Sequence, residues 1–443
     1  MIRIRDSVVY REYNNQTFII DTKQQCSLRI DAPIKKILDL FVNGTEPEEA
    51  KQKLMLLYPS VDSALISDNI DATVKFLIDN RLISDNADFL SKRIGQANTR
   101  YFQRYTIRER ILYSALFELT YRCPEKCVHC YLEPDLCSQK YTEDIDAELS
   151  TEKIKELLDQ LEELNVMEIT FTDGEPFARK DIFEILKYAN SKRFSINIFS
   201  NAILLNDSDI EKLSKLRINC FHASVYSHIS QKHDSITRIQ GSFARTVSTL
   251  RKLSENGIYV NFKFVLMESN KDDFDGVIEL AKSMGASVQL ISSISPSANG
   301  NCDIADLGVC NDIDLENIIQ RWNNISDYSC YNGDFSKDDP ICEAGRNCLC
   351  IDPYGKVKPC NAFDYVIGDV NETSLGDIWK HSEKLKSWQN ATKIDLKDCY
   401  DCQYASACNF CPGTALKYTG NMFKKYDTAC RYAKIQFKLL NGI

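Results

Sequence analysis

The hydrophobic positions change period several times along the chain. Near the N-terminus, short runs at Val8–Tyr10, Thr17–Ile20 and Cys26–Ile30, with polar turns such as Asn14-Asn15 between them, predict three short strands. The period then lengthens to that of a helix at Ile34, Ile37, Leu38 and Phe41, and Asn43-Gly44 ends that helix. Thr45 and Glu48 read as a capping box for the next helix, worth about 1 kcal/mol. Leu65, Ile66, Ile70, Val74, Leu77 and Ile78 mark a third helix. Three strands and three helices within residues 1–84 suggest a winged helix-turn-helix.

Residues 85–112 read as a basic linker carrying Lys92, Arg93, Arg100, Arg104, Arg108 and Arg110, either a solvated connector or a contact for an acidic peptide. Beyond it strands and amphipathic helices alternate. The strand candidates are Ala115–Leu119, Glu168–Phe171, Ile196–Phe199, Phe221–Val225, Val260–Leu266 and Val288–Ile291. One helix starts from an N-cap at Ser150 with Ile154, Leu157, Leu158 and Leu161 inward; another runs from Ser242 to Asn256-Gly257. Six β/α units over residues 113–325 predict a parallel sheet, open or partly closed into a barrel, that binds ligands at the strand C-termini. Residues 326–443 form a last, irregular region; within the C-terminal third only Leu315–Trp322 and Ser374–Trp379 read as helices. Such a region needs staples.

Composition narrows the partners. The net charge is −9, and residues 1–84 carry 11 Lys+Arg against 12 Asp+Glu, so no nucleic acid is expected even for a winged helix. No apolar run reaches the ~18–20 residues of a membrane span, and Met1-Ile2-Arg3-Ile4-Arg5-Asp6 lacks the apolar stretch of a secretory signal. A cytoplasmic location, with no membrane partner, is the expectation. Eighteen cysteines are then reduced, and their clustering points to metal.

Cys123-x3-Cys127-x2-Cys130 follows the first core strand. Three thiolates on a short loop suffice for three irons of a 4Fe–4S cube, leaving the fourth iron open; the alternative is a zinc site with His129 as fourth ligand. Asp173-Gly174-Glu175-Pro176 follows the second strand. Toward the C-terminus come Cys342, Cys348, Cys350, Cys360, Cys399-x2-Cys402-x5-Cys408-x2-Cys411 and Cys430, for which two zinc ribbons are the alternative to iron–sulfur clusters.

The first motif, from Tyr121-Arg122 through Cys130-Tyr131-Leu132, resembles the peptide-modifying members of the radical S-adenosylmethionine (SAM) superfamily. The resemblance implies a partial (β/α)6 barrel with a SAM-binding cluster on Cys123, Cys127 and Cys130. Asp173, Gly174, Glu175 and Pro176 resemble the family's GGEP segment, which holds the SAM amino group, with Asp173 in place of the first glycine. Ser200 and Asn201 match the position near the SAM ribose, Ser224 and Arg238 match its carboxylate contacts, and His129 is grouped with these cofactor-binding residues. His222, His233 and His381 read as packing or surface residues.

The C-terminal set resembles the SPASM domain, which implies two auxiliary clusters: one on Cys342, Cys348, Cys360 and Cys411, the other on Cys399, Cys402, Cys408 and Cys430. Cys350 is an alternative to Cys348. The N-terminal unit resembles the leader-peptide recognition domain (RRE) of ribosomal-peptide maturases, which adds a leader as a strand to its sheet. The domain order resembles the subtilosin type of maturase. Together these resemblances imply three 4Fe–4S clusters and SAM as cofactors. They imply an external electron donor of the flavodoxin or ferredoxin type, and a precursor peptide that is crosslinked from sulfur to carbon by a 5′-deoxyadenosyl radical. A carbon–carbon peptide cyclase, a sulfatase-type maturase and a non-catalytic iron–sulfur carrier are the alternatives.

Overall fold

The computed structural model describes residues 2–14, 16–22, 26–80, 82–84, 104–132, 147–297, 302–326, 336–399 and 401–442. Most of the basic linker lies outside these residues.

In the N-terminal unit, β1 (Arg3–Ile4) precedes an antiparallel meander of β2 (Val8–Tyr13), β3 (Gln16–Asp21) and β4 (Cys26–Asp31). Helices α1 (Ala32–Leu40), α2 (Pro47–Leu57) and α3 (Ser63–Asp79) follow, and β5 (Ile83–Ser84) returns to pair with β1. Val8, Ile19, Leu38, Phe41, Ile70 and Leu77 form its core. The expected capping box is absent. Glu46 is the N-cap of α2, Pro47 opens the helix, and Thr45 is diverted to pair with Ile2 and to donate its hydroxyl to Leu40 O at 2.6 Å. The apolar face of α3 is also narrower than the sequence suggests. Ile66, Ile70, Thr73 and Leu77 keep the 3.6-residue period and are buried, while Leu65 and Ile78 flank that stripe at 53% and 48% exposure.

The meander docks on the core by its β2 edge. Arg11 donates to Val166 O and Lys192 O, each at 3.1 Å, and the Tyr13 hydroxyl donates to Asn165 O at 2.7 Å. Val9, Tyr13 and Phe18 pack with Tyr105 and Met167. These acceptors lie in the loops that precede the second and third core strands. The unit therefore sits at the N-terminal end of the sheet, away from the strand C-termini.

The core strands are β6 (Ser114–Glu118), β7 (Glu168–Thr172), β8 (Ser195–Ser200), β9 (Ile218–Ser224), β10 (Val260–Val265) and β11 (Ser287–Ile291), all parallel and in sequence order. Outside them run α4 (Thr151–Glu163), α5 (Ile182–Ser191), α6 (Asp207–Ser214), α7 (Ser230–Thr237), α8 (Ser242–Glu255) and α9 (Phe274–Lys282). Ser150 caps α4 by accepting from Lys153 N at 3.1 Å. Phe117, Phe171, Ile198, Phe221 and Phe262 fill the space between sheet and helices.

The sheet is larger than six strands. After α10 (Asp312–Ile325), β12 (Cys348–Ile351) pairs parallel to β6, and β13 (Lys356–Lys358) and β14 (Gly368–Asp369) extend the sheet to nine strands ending at β11 and β14. The C-terminal region is also more helical than its periodicity predicts. It holds α11 (Leu375–His381), α12 (Glu383–Asn390), α13 (Pro412–Thr419) and α14 (Asp427–Asn441). Helix α14 buries mainly small residues, Ala429 and Ala433 with Ile435, and is held to α10 by polar pairs such as Arg431–Asp312 and Lys438–Glu316. No helix among the described residues is long and apolar enough to cross a membrane.

Candidate functional site

The cysteine loop leaves the C-terminal end of β6 and lies against the turn after β7. Gly174 makes that contact possible: at φ +27°, a Cβ there would meet Arg122 O at 2.6 Å and Tyr121 C at 2.8 Å. Glu175 N donates to Arg122 O at 2.9 Å. The Glu175 carboxylate is fully buried and accepts from Phe177 N, the Ser200 hydroxyl and Asn201 N at 2.8–3.0 Å. Burial pushes it up to about 7 despite those donors. Glu175 thus ties the ends of β7 and β8 together. Asn201 continues the chain of contacts, its side-chain amide lying 3.6 Å from Cys123 Sγ. The loop's other side is pinned by Lys126 N and Val128 N donating to Thr237 O and Ile236 O, each at 3.0 Å, at the end of α7.

Cys123, Cys127 and Cys130 are half-buried and lie close enough for their charges to act on one another. Burial pushes the Cys123 and Cys127 thiols up, and Glu125 and Cys130 raise both further. His129 stands beside Tyr226 with ring centroids 4.7 Å apart, and burial lowers it to about 4, so its ring is neutral. Two buried acceptors here, His129 Nδ1 and Glu125 Oε1, have no hydrogen-bond partner among the described residues. Glu125 is a residue the sequence reading missed, although it sits inside the loop. Its other oxygen lies 3.6 Å from Cys127 Sγ, and burial raises it to about 7. Tyr226 was missed too: it bonds Ser224 and stands 3.9 Å from Cys127 Sγ.

Arg238 is exposed and left-handed at φ +57°, at the C-cap of α7. Asp234 fixes the turn that carries it, accepting from Gly241 N, Phe243 N and the Ser242 hydroxyl at 2.6–2.9 Å. Asp173 differs from the other motif residues. It accepts from the Tyr131 hydroxyl and faces Glu118, Lys358 and Lys417. Glu118, also missed, is raised to about 8 by burial and by Asp173, and accepts from the Tyr121 hydroxyl at 2.9 Å. Of the histidines read as packing or surface residues, His233 accepts from Tyr226 N at 3.2 Å, His222 packs tilted against Phe199 with centroids 4.5 Å apart, and His381 is exposed.

The C-terminal cysteines form two groups. Burial pushes Cys342 to about 12 and Cys360 to about 11, and Cys411 acts on both; Cys348, also raised by burial, feels Cys360 and Cys342. Cys399, Cys408 and Cys430 are likewise raised by burial and by neighbouring cysteines, Cys408 to about 12, with Cys402 acting on all three. Cys350 is fully buried on β12 and feels first Glu118 and Lys358, and only then Cys360. Gly413 does for the first group what Gly174 does for the cysteine loop: a Cβ there would meet Ala362 O at 2.2 Å, two residues from Cys360 and two from Cys411.

Among the described residues, no three His, Cys, Asp or Glu side chains close around a single metal ion. The grouping shows instead in the repulsion between thiolates. Several buried thiolates in one place are unfavourable alone, and a cationic core inverts that balance. The all-sulfur donor sets fit an iron–sulfur group.

Residues 117–281 match the radical SAM superfamily and residues 342–403 match an iron–sulfur cluster-binding (SPASM) domain. The chain carries a radical SAM domain followed by a SPASM domain. It is 26% identical to the PqqA peptide cyclase of Granulibacter bethesdensis, over 62% of this chain and 75% of that protein. It is also 26% identical to the antilisterial bacteriocin subtilosin biosynthesis protein AlbA of Bacillus subtilis, over 72% of this chain and 71% of the other. Streptococcus suis SuiB, solved bound to its precursor peptide SuiA, shares the fold of this radical SAM chain with a TM-score of 0.62 at 16% identity, over 97% of this chain and 100% of SuiB.

Proposed function

We propose that this radical SAM chain modifies a ribosomally made precursor peptide and joins a cysteine sulfur to a carbon of another residue. The observation that carries the peptide reading is the cysteine loop locked by Gly174 and Glu175 beside a C-terminal cysteine domain, in a chain whose relatives include a peptide cyclase and a bacteriocin biosynthesis protein. A cluster on Cys123, Cys127 and Cys130 would supply the electron that cleaves SAM into methionine and a 5′-deoxyadenosyl radical, which takes a hydrogen from the peptide. The chain's own residues set the geometry. Glu175 and Asn201 hold the loop at one height above the sheet, Gly174 allows its close approach, and Asp234 presents Arg238, whose guanidinium suits the SAM carboxylate.

In the same proposal, the cysteines of the C-terminal domain hold two auxiliary clusters, for three in all, and a flavodoxin- or ferredoxin-type protein delivers the electron. The N-terminal unit captures the leader. Its β2 edge is occupied by the core, its sheet ends at β4, and its charge is near neutral. The thioether product is supported by the likeness to the subtilosin protein.

The test is anaerobic turnover with SAM and a cysteine-containing precursor peptide. 5′-Deoxyadenosine should form, and the peptide should lose about 2 Da per link, the mass of two hydrogens removed when carbon and sulfur join. One cysteine per link should resist alkylation. A product whose cysteines all remain reactive excludes the thioether; absence of 5′-deoxyadenosine excludes the radical reading.

A further inference from the structure

A cavity of about 880 Å³ lies between β11 and the C-terminal domain. All five residues of β11 line it, and β11 is an end strand of the nine-stranded sheet, paired with β10. In a parallel ladder the backbone groups of alternate residues point to opposite sides. Ile291 O accepts from Leu266 N at 2.9 Å, so Ser287, Gln289 and Ile291 face β10. Val288 and Leu290 therefore turn their N–H and C=O groups away from β10. Open edges are usually blunted by charge or proline. The Ser-Val-Gln-Leu-Ile of β11 has neither.

Two further observations concern the same space. Asn323 Oδ1 and Ser326 Oγ are buried without a hydrogen-bond partner among the described residues, and both residues line the cavity. Buried polar atoms left this way are destabilising until a partner arrives. The described lining contains no Asp, Glu, Lys, Arg or His; it is hydroxyl, amide, aliphatic and aromatic, with Cys411 among it.

We propose that this groove receives the substrate peptide as a strand added to β11, and that it takes an extended, uncharged stretch with small polar side chains. The proposal rests on the peptide reading above. Backbone pairing to Val288 and Leu290 supplies affinity that does not depend on sequence, and the lining decides which side chains fit. Ser, Thr and Asn side chains find hydroxyl and amide partners there. A charged side chain would leave water for a wall without a counter-charge. The strand would carry the peptide past Cys411, beside the first auxiliary cysteine group.

The test uses the full-length, cluster-reconstituted protein labelled with ¹⁵N at valine and leucine, without SAM. The probe is a capped peptide of about ten residues, enough to span β11 at ~3.3 Å per residue, made of Ser, Thr, Asn and Gly with one Cys. Amide exchange at Val288 and Leu290 should slow, saturating by about 1 mM probe. Placing Glu or Lys at two central positions should weaken binding at least about tenfold. Leu290→Pro removes only an outward N–H, which a sheet edge tolerates, and should weaken binding about three- to tenfold beyond Leu290→Ala. Unchanged exchange at Val288 and Leu290 up to about 1 mM probe, or equal binding of the charged peptide, overturns the proposal. If the proline variant does not fold, the exchange data on the unsubstituted protein decide. No turnover is involved, so a failure here is distinct from a failure of the radical reading.

Discussion

Gly174→Ala tests the interlock between the cysteine loop and the turn after β7. The added methyl would sit 2.6 Å from Arg122 O and 2.8 Å from Tyr121 C and O, all backbone atoms, at φ +27°. A flexible side chain could swing aside; a backbone fixed by the Glu175 N to Arg122 O bond cannot. Overpacking of this kind costs about 1–3 kcal/mol, and the unfavourable φ about 1 kcal/mol more. The sum, about 2–4 kcal/mol, should lower Tm by roughly 5–15 °C. Relief by moving the loop displaces Cys123, and a misplacement near 1 Å costs about a hundredfold in rate. Gly257→Ala is the control: φ is +74° there and nothing lies within 4 Å of the new methyl, so only about 1 kcal/mol is lost. The assay is iron content, thermal unfolding and 5′-deoxyadenosine formation on anaerobically reconstituted protein. A Gly174→Ala protein that matches Gly257→Ala in all three refutes the reasoning.

Replacing Cys123, Cys127 and Cys130 together by Ala should remove about four of about twelve irons and all SAM cleavage; iron analysis with a turnover assay checks this, and surviving cleavage refutes it. Cys348→Ala should disturb the first auxiliary group while Cys350→Ala keeps it, because Cys348, after burial and Glu343, feels both Cys360 and Cys342, whereas Cys350 feels Glu118 and Lys358 before Cys360 alone; iron counts and spectra unchanged in both variants would show that neither ligates. Glu118 is raised to about 8 from 4.5, so the native state binds its proton more tightly than the unfolded chain does. Its contribution is complete below about pH 4.5 and is lost as pH rises through about 8. Thermal melts should therefore show Tm falling between about pH 4.5 and 8, and Glu118→Gln should flatten that fall; parallel pH profiles for the two proteins refute it.

The elements whose residues carry a strong local period were legible in the sequence. Helix α4, with its Ser150 cap and four inward apolar residues, is one, and the six parallel strands are others. The capping box was misread because Thr45 has two uses open to it: a local cap, and a pairing with Ile2 that sequence spacing cannot show. Helix α14 was not read from the sequence although its residues keep a helical period; its buried face is mainly alanine, and ion pairs to α10 complete its seat. Glu118, Glu125 and Tyr226 were invisible as site residues because a carboxylate or phenol acquires its role only from what is buried around it.

The sequence by itself determined the chemistry on offer: three thiols at x3 and x2 spacing, a glycine-containing turn after the next strand, and a second reservoir of cysteines. Spacing along a loop limits which donors can meet, because a few residues of chain reach only a few ångströms. The tertiary structure alone decided what those groups face. It set Gly174 against Arg122 and Gly413 against Ala362, brought Cys411 to Cys342 and Cys360, laid β12 against β6, and left β11 at the sheet's end beside a cavity. These juxtapositions join residues tens to hundreds of positions apart. They follow from the packing of whole layers around one core, in which each contact depends on all the others, and so no short stretch of sequence encodes them.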